Sequence, residues 1–155
     1  MQLLVKEFVK LLQKEKAMTK QNIKDLEKQR AEFAYDCVEK VANEYGKDSK
    51  TANEYKSYVK KIPTLIQTNG LSATFAFMYS KKKTYEVIYK QVQKWLEERD
   101  FKINKELVKW IISQPSSEYR HITNEVMALF MWLRRFAEGM IEKEKGSKDG
   151  KEKEE

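Results

Sequence analysis

The groups of this chain best suited to chemistry are cations in tight clusters. Lys60-Lys61, Lys81-Lys82-Lys83 and Arg134-Arg135 stand as runs, and Arg120 stands alone. Ammonium and guanidinium groups neutralise phosphate oxygens, and each neutralised phosphate releases condensed counterions. Lysines that grip a backbone carry no base code, so binding of this kind tolerates any sequence. The competing reading is that lysine-rich helices are simply solvated. Arg134-Arg135 has alternatives of its own: an ion pair with Glu138 or another helix, or contact with RNA phosphate, a stacked base or an interface carboxylate.

Other reactive side chains are few. The chain has one histidine, His121, and one cysteine, Cys37. A histidine-dependent triad would rest on His121 alone, and one Cys with one His makes no Cys/His zinc site. Cys37 falls on an apolar helical face and reads as a small buried hydrophobe. Glu97-Glu98 with Asp100 could coordinate a cation or form an ordinary solvated turn. Asn69-Gly70 lacks the spaced glycines and the lysine of a phosphate-binding loop. The expectation is a chain with no catalytic residue, no metal and no cofactor.

Helices must position these cations. Five glycines and two prolines in 155 residues cannot punctuate a many-stranded sandwich or barrel. Leu4, Phe8, Leu11 and Leu12 recur at helical spacing. Thr19 can cap a second helix with Ile23, Leu26, Phe33, Cys37, Val41 and Tyr45 on one face, ending at Gly46. Thr51 and Glu54 have capping-box spacing, and Tyr55, Tyr58, Val59 and Ile62 follow. Pro63 predicts a bend and a fresh helical start. Leu71 to Tyr79 has no charge, which predicts a buried central helix. Thr84 can cap a helix carrying Val87, Ile88, Val92, Trp95 and Leu96, and Asn104 one carrying Leu107 to Ile112. Pro115 precedes a last helix from about Glu118 to Lys143. That helix carries a second apolar face (Met127, Phe130, Met131, Trp132), so it is either central or docked on another protein. The fold class is all-α: a single-domain bundle of about six helices over residues 1–143, with a disordered charged tail over 144–155.

The formal charge is +7, and it is not evenly spread. Residues 1–46 carry net +1, residues 47–109 net +7, residues 110–142 net −1 and residues 143–155 net zero. The middle of the chain holds the whole excess, where the lysine runs flank predicted buried segments. A localised positive field is the footprint of phosphate binding. The longest apolar run, Val126 to Leu133, falls far short of the roughly 20 residues that span a bilayer. Lys6, Glu7 and Lys10 interrupt the first apolar stretch, which is therefore no signal peptide. A lone cysteine fits a reducing compartment, so the expected location is cytoplasmic, with no membrane partner.

Three segments carry a family resemblance: Arg30 to Ala42, then Tyr58 to Phe77 with Pro63 and Asn69-Gly70, then Ser116 to Arg120 followed by Trp132-Leu-Arg-Arg-Phe-Ala137. Over about residues 30–142 the chain resembles the small subunit of the type III-B CRISPR effector, the Cmr complex. The resemblance implies a compact helical bundle that is no nuclease. It implies copies stacked as a short filament in a ribonucleoprotein, beside backbone subunits and touching a large polymerase-like subunit. It also implies a share in holding CRISPR guide RNA and target RNA, with target cleavage left to the backbone subunits. Lys60, Lys61, Arg134 and Arg135 lie in the matching segments and are the leading RNA-contact or packing candidates. Lys81, Lys82, Lys83 and Arg120 are added on charge. The rivals are a stand-alone, sequence-tolerant nucleic-acid-binding protein and an enzyme built on scattered carboxylates.

Overall fold

No glycine or proline interrupts the chain from Gln2 to Tyr45, and this stretch forms one helix, α1 (Gln2–Tyr45), 44 residues long. At 1.5 Å per residue it is roughly 66 Å from end to end. The expected break near Thr19 does not occur. The Thr19 hydroxyl donates to the Glu15 carbonyl at 2.9 Å, a bond made inside a helix rather than at its start. Gly46 ends α1 at φ +87°, where a side chain would strain the backbone, and its N–H donates to the Ala42 carbonyl at 2.9 Å.

The remaining elements are α2 (Lys50–Asn69), α3 (Leu71–Lys81), α4 (Thr84–Glu98), α5 (Leu107–Ile112) and α6 (Ser116–Met140). The structure, a computed structural model, describes residues 1–143, and every element among them is helical. The expected tail over 144–155 lies outside the described residues.

Several helix starts use different residues from those the local spacing suggests. Ser49 caps α2, its Oγ accepting from the Ala52 N–H at 3.0 Å. Glu54 is then free for another role: it accepts from the Thr84 hydroxyl at 3.0 Å and ties the start of α4 to α2. Asn104 does not cap α5. The Tyr89 hydroxyl accepts from the Val108 N–H at 2.9 Å and donates to Glu106 at 2.7 Å. The Tyr119 hydroxyl likewise accepts from the Ser72 N–H at 2.9 Å, serving an otherwise unpaired donor at the start of α3.

Pro63 lies inside α2, which runs through it without a new start. The missing N–H leaves the Val59 carbonyl without its helical donor. Burial offsets this, because Tyr55, Val59, Ile62 and Ile66 form one buried stripe on both sides of the proline. α3 is less central than its composition suggests. It buries Leu71, Thr74, Phe75 and Met78 but exposes Ala73, Ala76 and Tyr79. The central element is α6, which lies along α1 and against α2. Of its second apolar face, Phe130 is buried, Met127 and Trp132 are partly buried, and Met131 is exposed.

One polar network crosses this core. Glu125 of α6 is 4% exposed. Its Oε1 accepts from Arg30 Nε at 3.0 Å and from Trp95 Nε1 at 2.9 Å, and its Oε2 accepts from Arg30 Nη2 at 2.8 Å. Arg99 Nε lies 3.7 Å from Oε1. Glu27 bridges Arg30 and Trp132, accepting from Trp132 Nε1 at 3.0 Å. Burial pushes the Glu125 carboxyl up, but hydrogen bonds and charge from Arg30, with help from Trp95 and Arg99, bring it to a net position below the usual carboxylate range.

Candidate nucleic-acid interface

The helical period places Lys56 and Lys60 one turn apart on α2, and Arg134 and Glu138 one turn apart on α6. Packing of α2 on α6 brings the two pairs together. Lys60 forms an ion pair with Glu138, and Lys56 Nζ lies 4.0 Å from the same carboxylate. Lys56 also donates to the Ile141 carbonyl at 3.1 Å. The hydrogen bond from Lys60 is the main cause of a Glu138 carboxyl held below its usual range. Glu138 thus pairs chiefly with lysine across the helix interface.

Arg135 takes another partner. Its guanidinium carbon lies 5.3 Å from the centre of the Trp132 ring, an arginine–aromatic contact that fixes the side chain near the surface. Trp132 is in turn held by its bond to Glu27. A shallow cleft results, lined by Lys60, Met131, Arg134, Arg135 and Glu138. Three cations face one carboxylate there, so the cleft is positive, and Met131 adds an exposed apolar floor. Chemically it can hold a phosphate between lysine and arginine, with a flat or apolar group against Met131.

The other expected residues are placed apart from this cleft. Lys61 is exposed but points about 100° away round α2 from Lys60 and is not part of the lining. Lys81 Nζ lies 5.5 Å above the Phe77 ring. Phe77 meets Tyr85 edge-on at 5.3 Å, and Tyr85 stacks on Tyr58 at 3.9 Å, which anchors this second cluster to α2. Lys82 and Lys83 follow, both exposed and both at positive φ, 57° and 56°. Arg120 is exposed near the start of α6, about 21 Å along the helix from Arg134.

Side chains weighed for other chemistry have structural surroundings. His121 packs its ring 5.5 Å from Phe101. Cys37 is buried, and burial pushes its thiol up to about 12, so it is protonated at neutral pH. Glu97, Glu98 and Asp100 close α4: Asp100 turns at φ 65° and the Phe101 N–H donates back to the Leu96 carbonyl at 3.1 Å. Among the described residues, no three His, Cys, Asp or Glu side chains converge as around a metal ion. No helix of the described residues is long and apolar enough to cross a membrane.

Lys56 is not among the site residues expected from the sequence, and Met131 is expected there only as part of the second apolar face of the last helix. The i, i+4 spacing of Lys56 and Lys60 was a usable signal. Nothing local to Met131 distinguishes it from its buried neighbours.

Known proteins share both the sequence pattern and the arrangement of helices. The family model described as CRISPR-associated protein (Cas_Cmr5) matches residues 26–140. The CRISPR system Cmr subunit Cmr5 of Thermus thermophilus is 30% identical over 113 residues, which is 72% of this chain and 92% of that protein. The crystal structure of a CRISPR-associated Cmr5 family protein, also from Thermus thermophilus, superposes with a TM-score of 0.63 at 27% identity, over 75% of this chain and 97% of that one.

Proposed function

We propose a function from one premise: the chain belongs to the Cas_Cmr5 family of CRISPR-associated proteins. It serves as the non-catalytic small subunit of a Cmr effector complex in the cytoplasm. Copies stack beside the backbone subunits and reach the large polymerase-like subunit. The subunit grips the phosphate backbone of guide or target RNA, while cleavage belongs to its neighbours. The observation that carries this reading is the cleft between α2 and α6, where Lys60, Arg134 and Arg135 converge from distant parts of the sequence. Guanidinium and ammonium groups at such a cleft bind phosphate without reading bases. Lys61, Lys81, Lys82, Lys83 and Arg120 add a more diffuse positive field around it.

The test is target-RNA binding by a complex reconstituted with Lys60→Ala, Arg134→Ala and Arg135→Ala together. If each removed cation meets one phosphate of a single strand, the slope of log affinity against log salt falls by about 2. At 0.1 M salt that is a loss of about 100-fold. A complex that assembles normally and shows the wild-type affinity and slope refutes the assignment. Tight RNA binding by the isolated subunit would favour a stand-alone nucleic-acid-binding protein instead.

A further inference from the structure

Among the described residues, nothing covers the first half of α1. Every residue from 1 to 25 is exposed, although Leu4, Val5, Phe8, Leu11, Leu12 and Met18 are apolar. Phe8 is 62% exposed and Leu11 60%. A helix with an apolar stripe gains most of its stability from burying that stripe. Here packing begins only at Leu26, the point at which the family match also begins.

The same helix carries a receptor for such a stripe. A groove of about 590 Å³ runs between the second half of α1 and α4, from Gln29 to Tyr45 on the α1 side. Its floor is apolar: Phe33, Cys37, Val41, Val87 and Trp95. The arm from Leu4 to Met18 is roughly 21 Å long, and the groove from Gln29 to Tyr45 roughly 24 Å. Charge also matches. The arm carries Lys6, Lys10, Lys14 and Lys16 against Glu7 and Glu15. The groove carries Glu32, Asp36, Glu44 and Glu98 against three lysines.

The arm cannot reach its own groove, because both belong to one continuous helix. Steps of three and four from Leu4, Phe8 and Leu11 arrive at Phe33, Cys37 and Lys40, so arm stripe and groove lie on one face. We infer that the occupant of the groove is the arm of a second copy of this chain, paired antiparallel about a two-fold axis near Lys24. One such axis fills both grooves with both arms at once and closes the assembly as a dimer. The register sets Leu4 beside Glu44, Phe8 beside Lys40 and Leu11 beside Cys37 of the opposite chain. This goes beyond the proposed role in the effector complex, and its test uses the isolated full-length chain without RNA.

Sedimentation velocity across a concentration series should show a dimer of the 18.5 kDa chain. Leu4→Glu with Leu11→Glu alters only exposed side chains of the arm and should raise the dimer dissociation constant at least about 100-fold. Register is read by oxidation in a Cys37→Ala background. Phe8→Cys with Lys40→Cys should give a disulfide-linked dimer. Within one chain these positions are about 48 Å apart along the helix, so the link can only be between chains. Phe8→Cys without Lys40→Cys should give no link. A wild-type chain that stays monomeric overturns the inference. So does an arm variant that still dimerises as the wild type does. A dimer lacking the 8–40 link, or linked through Phe8→Cys alone, overturns the antiparallel register.

Discussion

Glu125→Gln removes one negative charge from the core while keeping the shape of the side chain. Glu125 is the buried counter-charge for Arg30, whose side chain is 13% exposed, and for Arg99. Among the described residues, Arg99 Nε is buried without a hydrogen-bond partner, and Glu125 is the carboxylate within ion-pair distance of it. The variant therefore leaves guanidinium charge in the core without its carboxylate. Removing one partner of a buried ion pair costs about 3–5 kcal/mol. Glu27 still pairs with Arg30, which argues for the lower end, about 3 kcal/mol. For a chain of this length each kcal/mol moves Tm by about 2–4 °C, so the expected fall is about 6–12 °C. Thermal melts followed by circular dichroism at neutral pH measure it. The Glu125 carboxyl has a folded pKa below its unfolded one. Its contribution is therefore complete above the unfolded value of about 4.3 and is lost as pH falls through the folded value. The Tm gap between wild type and variant should hold at neutral pH and narrow below about pH 4. A Tm within about 2 °C of wild type at neutral pH, or a gap that widens in acid, would refute the reasoning.

Two further predictions concern single contacts. Tyr55 is fully buried and donates to Gln91 at 2.6 Å, and Gln91 donates on to the Cys37 carbonyl at 3.3 Å. Tyr55→Phe leaves the Gln91 oxygen unpaired and should cost about 1–3 kcal/mol in chemical denaturation, with an unchanged m-value. Lys82 holds φ 57° on an exposed turn, so Lys82→Gly should relieve backbone strain and raise Tm by a few degrees. A lower Tm for the glycine variant would show that the conformation carries no strain.

Helical periodicity made much of this architecture legible. Leu107, Trp110 and Ile111 mark α5, and Ile122, Val126, Leu129 and Leu133 mark the inner face of α6. Illegible parts depended on distant partners. Thr19 has the chemistry of a cap, yet neither Gly nor Pro breaks the helix around it. Pro63 signals a bend, but Ile62 and Ile66 bury on both sides of it and hold the helix together. Glu54 has capping-box spacing, and only the arrival of Thr84 from α4 gives it another role. Among the cations, clustering in sequence and clustering in space diverged. Lys60 lines one cleft with Arg134 and Arg135, whereas adjacent Lys61 faces elsewhere because neighbours on a helix diverge by about 100°. The buried Glu125 had no local signal at all; its two arginines come from another helix and from the turn after α4.

The central claim is that the cleft between α2 and α6 meets RNA inside the assembled effector. The most direct measurement is ultraviolet cross-linking of the assembled, RNA-loaded complex, followed by mass spectrometry of this subunit's peptides. The account predicts nucleotide adducts concentrated on the peptides containing Lys60 and Met131 to Arg135. Adducts confined to other faces of the subunit, or none on a subunit present in the loaded complex, would contradict it.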